Sequence, residues 1–107
     1  MVARCEQTGE LGVCVSTLNP AVGSVVPYVE LSVGAIASQA RSNTMYGIRG
    51  LQLLKLGLSP ENVLDTLLRD DEKHETRQVI MIDSHGQTAG HTGKEASDWK
   101  GHRTGKN

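Results

Sequence analysis

Six consecutive positions, Ser38-Gln39-Ala40-Arg41-Ser42-Asn43, close an apolar stretch and lead into a helix-like one. A junction of this kind aims backbone N–H groups and carboxamides at one point, which suits an anion or an oxyanion. Gln39 and Asn43 are therefore candidate site-lining residues, with roles in substrate orientation and oxyanion stabilisation rather than nucleophilic attack. The competing reading is a capping loop in which Asn43 serves only the helix.

Other residue types invite chemistry but lack its spacing. His85, His91 and His102 follow one another at intervals of six and eleven residues. That matches no usual zinc spacing, and neither Cys5 nor Cys14 belongs to a Cys-x-x-Cys pair. Surface or loop histidines are the reading to prefer, with a zinc-dependent hydrolase as a weaker third. No metal or other cofactor is expected. His74, in a charged run, is expected to be solvated. Cys14 or Ser38 with His91 and Asp83 supplies the types of a nucleophile–base–acid triad, but no nucleophile elbow is present. Cys14 between Val13 and Val15 reads as a small strand residue. Gly47-Ile48-Arg49-Gly50 follows no phosphate-loop pattern, so those glycines are expected to serve packing.

Composition narrows the classes. The chain has 107 residues, 11 basic and 12 acidic, with a formal net charge of −1. That balance gives no footprint for nucleic acid and no basic membrane-binding face. No apolar run approaches the roughly 20 residues of a membrane span. One domain, or part of one, is expected over residues 1–107. Its core must be aliphatic, because the chain has no Phe, one Trp and two Tyr. Cys5 and Cys14 fall in what read as neighbouring strands, so a bridge is conceivable. No apolar leader stands ahead of them in Met1-Val2-Ala3-Arg4, so reduced thiols in a cytoplasmic protein are expected.

The elements that must position these residues follow from periodicity. Val2–Glu6 and Leu11–Thr17 flank Gly9 and read as a hairpin. Leu18–Ser24 reads as a loop, and Pro27 as an edge or a strand start. Val29–Gln39 alternates small and β-branched residues, as one strand packed on both faces. Ser42, Asn43 or Thr44 caps a helix over Thr44–Leu56, with Ile48, Leu51, Leu54 and Lys55 at helical spacing. Gly57 ends it. Ser59 and Pro60 open a second helix that stops near Arg69. Gln78–Asp83 reads as a strand, and Gln87–His91 as its partner after a turn. Residues 94–107 read as a loop or unpaired tail, anchored only by Trp99. The order hairpin–strand–helix–helix–hairpin is α+β, with antiparallel sheet layered against helices.

Several phrases add to this. Thr8-Gly9-Glu10-Leu11-Gly12-Val13, Ala21-Val22-Gly23-Ser24-Val25-Val26-Pro27 and Val33-Gly34-Ala35-Ile36-Ala37-Ser38-Gln39-Ala40 come first. Asn43-Thr44-Met45-Tyr46-Gly47-Ile48-Arg49-Gly50-Leu51, Gly57-Leu58-Ser59-Pro60-Glu61 and Arg77-Gln78-Val79 follow. His91-Thr92-Gly93 and Trp99-Lys100-Gly101-His102-Arg103-Thr104-Gly105 complete the series. Together they resemble the domain of unknown function 1028 family, in its order, over nearly the whole chain.

The resemblance implies an N-terminal-nucleophile-hydrolase-like (Ntn-hydrolase-like) αββα sandwich, of which this chain would be the first half. It implies amide-bond hydrolysis by ancestry, a small amide or peptide-like substrate, and His91 as a third site-lining residue. In relatives of that fold a first-residue Thr, Ser or Cys attacks while its own α-amino group accepts the proton. Here Met1 precedes Val2, and neither has a nucleophilic side chain. The alternative is a truncated or inactive binding or assembly module. A half-sandwich exposes apolar sheet, so a homo-oligomer is expected.

Overall fold

In the computed structural model, which describes residues 1–105, the chain first reverses at Gly9, where φ is 74°. β1 (Val2–Arg4) and β2 (Leu11–Val13) pair antiparallel, with Val2 opposite Val13. This register sets Cys5 against Glu10 and Cys14 against Met1. The thiols are thus separated along the hairpin by four residues, about 13 Å, and both are free. The hairpin does not bring them together.

The stretch Val29–Gln39, expected as one strand, contains a turn. β3 (Pro27–Glu30) and β4 (Gly34–Gln39) are joined by Leu31-Ser32-Val33 and pair antiparallel. Val33 N–H donates to Glu30 O at 3.1 Å, and Ser32 takes a φ of 60°. A positive φ at the third turn position is the type II pattern, usually marked by glycine. Serine hides it. Pro27 opens β3, which is an edge strand, so both expectations for it hold.

Asn43 caps α1 (Thr44–Lys55) by accepting from Met45 N–H at 3.0 Å. Gly57, with a φ of 91°, follows its end. Ser59 caps α2 (Pro60–Arg69), with Pro60 in the first turn. Of the α2 stripe Val63, Leu64, Leu67 and Leu68, the first three are buried and Leu68 is half-buried. The α1 stripe is rotated: Tyr46, Gly47, Gly50 and Leu54 are buried, while Ile48 is 46% exposed. The glycines set this face, because they let the helix lie close to the sheet. A Cβ on Gly50 would sit 2.5 Å from Ile36 Cδ1, and one on Gly47 would strike the Tyr28 ring.

β5 (Gln78–Asp83) and β6 (Thr88–Thr92) complete a four-stranded antiparallel sheet in the order β3-β4-β5-β6. Side chains alternate across it. Ile36, Val79 and Met81 face the helices and join Tyr46, Val63 and Leu67 in the core. Ala35, Ala37, Ile80 and Ile82, at the alternate positions, face the other way, where β1 and β2 pack. The layers are therefore helix pair, four-stranded sheet and two-stranded hairpin. This is the expected α+β architecture. No helix among the described residues is long and apolar enough to cross a membrane.

Beyond β6 the described tail has neither helix nor strand. Residues 106–107 of the tail lie outside the described residues. Trp99 does not anchor it: the indole is fully exposed, on a backbone with a φ of 60°. The polar backbone does the anchoring instead. Glu95 N–H donates to Glu75 O at 2.8 Å, Lys94 N–H to Glu75 Oε2 at 2.7 Å, and Ala96 is buried beside them.

Candidate functional site

The β4–α1 junction is a dense polar knot. Ser38, fully buried at the end of β4, accepts from Asn43 N–H at 3.2 Å. Asn43 Oδ1 caps α1, and its Nδ2 donates to Asp71 Oδ2 at 3.2 Å. Arg77 Nε donates to the same Asp71 oxygen at 3.0 Å, and Arg77 also donates to Arg41 O. The Asp71–Arg77 pair is mostly buried, with side-chain exposures of 12% and 14%. Two consecutive residues, Ala40 and Arg41, hold positive φ values of 51° and 60°. Such backbone costs of order 1 kcal/mol per residue and persists where the surroundings enforce it. The knot supplies that enforcement.

The knot also shifts two acids. Burial acts to raise the Asp71 pKa, but hydrogen bonds from Arg77, the Lys73 N–H and Asn43, together with the nearby Tyr46 hydroxyl, outweigh it. The carboxyl is held well below the usual carboxylate range. Burial, and then the Asp71 carboxylate, push the Tyr46 phenol well above its ordinary value. Tyr46 Oη lies buried close to that carboxylate without a hydrogen bond of standard geometry. Asp71 belongs to the charged run after α2, and it is drawn in by Arg77 six residues on and by Asn43 28 residues before it.

The opposite face of the sheet carries a cleft of about 500 Å³. Its floor is Ala37, Ile80 and Gly90, and its walls are the start of β1 and the tail Gly101–Gly105. Gln39 and Gln78, paired across β4 and β5, border it. Gln78 Nε2 donates to Gly101 O at 3.2 Å and to Thr92 Oγ1 at 3.4 Å. Thr92 Oγ1 also meets His102 Nδ1 at 2.9 Å. The His102 ring lies against Gly90, where a Cβ would come within 2.8 Å of it. These bonds strap the tail across the sheet.

The sequence-derived residues separate accordingly. Gln39 borders the cleft. Asn43 lies in the knot, with both side-chain groups engaged. His91 also borders the cleft along β6, but its Nε2 meets His74 O at 3.1 Å on the helix side. His74 is half-buried rather than solvated: its Nδ1 meets Asp71 O at 3.0 Å, and its ring centroid is 6.0 Å from that of His91. His85 lies in the β5–β6 turn and His102 on the far face, so the three histidines do not converge. Among the described residues no group of three or more His, Cys, Asp or Glu side chains is placed to hold a metal.

The triad types do not assemble either. Ser38 and His91 share a row across the sheet with Val79 between them, about 10 Å apart. Asp83 is four residues further along β5 and accepts from the N–H groups of His85 and Gln87. Cys14 is exposed on the hairpin.

Gln78, Thr92 and Arg103 were missed as cleft residues from sequence. One usable signal was the alternation Thr88, Gly90, Thr92, which puts small and hydroxyl groups on one face of β6. The folding back of the tail has no periodic signature.

All 107 residues match the family of unknown function DUF1028. The crystal structure of protein SPO2555 from Silicibacter pomeroyi, described with the same family, is similar to this chain. The two share 30% sequence identity with a TM-score of 0.80, over 94% of this chain and 46% of that one. The chain thus spans a little under half the length of that protein. Among curated proteins none matches. In both sequence and fold, the chain belongs to the DUF1028 family.

Proposed function

We propose that the cleft is the ligand site of an Ntn-hydrolase-like domain, and that it takes small amide or peptide-like molecules. The observation that carries this reading is the convergence of the start of β1, a small apolar floor and two carboxamides on one open sheet face. A carboxamide offers both a donor and an acceptor, so Gln39 can pair with an amide in either sense. β1 delivers the chain start to the rim of the cleft, with Met1 N donating to Cys14 O at 2.7 Å. In an Ntn-type arrangement that rim is where a first-residue nucleophile acts. Gln39 and Gln78 on the cleft border supply binding and orientation.

The layering supports the sandwich reading. Helices cover one sheet face, and a second sheet begins on the other with β1 and β2. Incubation with N-acetylated amino acids, followed by NMR for released acetate, tests the hydrolytic component. Release that falls about tenfold or more in Gln39→Ala supports it. Binding without release leaves a ligand-binding module, and neither binding nor release removes the reading.

A second reading, an assembly module, is favoured by the open edge strand β3. Its Val29 is 52% exposed, and Leu31 at the following turn is 88% exposed. Light scattering decides it: a dimer that a Val29→Lys substitution dissolves supports edge pairing, and a monomer at high concentration contradicts it.

A further inference from the structure

We propose that the cleft selects ligands that carry a carboxylate beside the amide, with Arg103 as the group that reads the charge. The inference rests on the amide-site reading above and adds a substrate class to it. Twelve acidic residues give the chain its net charge of −1, yet none of them lines the cleft. The charged side chain in the described lining is Arg103, on the strapped tail. Arg103 makes no ion pair or hydrogen bond among the described residues. Its guanidinium is always protonated, and its planar fork of donors matches a carboxylate.

The neighbours give the cleft three chemically distinct parts. Gln39 borders one side, and its carboxamide makes no hydrogen bond among the described residues. Ala37 and Ile80 form an apolar strip between. His102, fixed by Thr92 and seated on Gly90, holds the tail that carries Arg103. An amide, a short apolar group and a carboxylate in one small molecule satisfy all three. An acylated apolar amino acid is the simplest chemical class with that composition. A cation in a lining that holds no acidic residue also disfavours cationic amides.

The test compares N-acetyl-L-leucine with its uncharged amide, N-acetyl-L-leucinamide, by calorimetry on the whole chain. The acid should bind about fivefold more tightly, the scale of a partly exposed ion pair. Arg103→Gln should bring the two affinities together while leaving the melting temperature unchanged. Added salt should shrink the preference in the parent chain. Equal affinities, a preference that survives Arg103→Gln, or no binding of either compound would overturn the proposal. A carboxylate preference without turnover keeps this inference and removes hydrolysis. Turnover of neutral amides with no preference keeps hydrolysis and removes this inference.

Discussion

Asn43 and Asp71 stand 28 residues apart and are joined by a 3.2 Å hydrogen bond from Nδ2 to Oδ2. That bond ties the start of α1 to the exit of α2, and Arg77 then ties both to the start of β5. The knot holds the β4–α1 junction in its left-handed conformation and fixes the end of β4, where Gln39 sits. Cleft geometry on one face of the sheet therefore depends on a polar cluster on the other.

The energetic expectation is direct. Removing one partner of a mostly buried ion pair strands the other, so Asp71→Ala and Arg77→Ala should each cost about 3 kcal/mol. The double substitution should cost much less than the sum, because the second change removes the stranded charge. Urea denaturation of the four chains measures this. Additive losses would show that the pair is not coupled.

Acid should probe the same carboxylate. Asp71 titrates well below the usual range in the folded chain and near 3.9 when unfolded. Between those values the unfolded state binds more protons, so stability rises with pH. The contribution is complete above about pH 5 and is lost as pH falls toward the folded value. Asp71→Asn should flatten the stability profile below about pH 5. An unchanged acid limb would assign acid sensitivity to other groups.

Two glycines should separate sharply. A Cβ on Gly93 would strike the Glu75 backbone, which cannot swing aside, whereas one on Gly12 meets nothing within 4 Å. Gly93→Ala should cost about 3 kcal/mol, and Gly12→Ala should stay within about 0.5 kcal/mol. Thermal melts of both variants check the contrast.

Gly90 offers a milder perturbation. Its added Cβ would meet the His102 ring, the end of a flexible side chain. Gly90→Ala should therefore cost less than about 1 kcal/mol while unseating the tail. Trypsin should then cut after Lys100 or Arg103 faster than in the parent. Equal cleavage rates would mean that the His102 seat does not hold the strap.

Much of the frame was readable from local signals. Ser59-Pro60, Gly57 and Asn43 mark helix ends because capping is short-range chemistry, and the structure uses each of them. The β3–β4 turn was not readable, because Ser32 takes a conformation that sequence patterns assign to glycine. The face of α1 was misjudged because Gly47 and Gly50 look neutral in a hydrophobic stripe, yet they set its closest approach to the sheet. Trp99 looked like an anchor on type alone, and exposure overturned it. The candidate site was legible at Gln39 and, along β6, at His91. Its other parts depend on the tail folding back over the sheet, and on pairings such as Gln78 with Gly101 O that no local pattern encodes.

The central claim is that the ligand site is the cleft between β1, the open sheet face and the strapped tail. A ¹⁵N-edited NMR titration with N-acetyl-L-leucine tests it most directly. The account predicts shifts confined to Gln39, Gln78, Thr92 and the Gly101–Thr104 segment. Shifts centred on the β3–β4 and β5–β6 turns, or on the Asn43–Asp71 knot, would contradict it, as would no shifts at millimolar ligand.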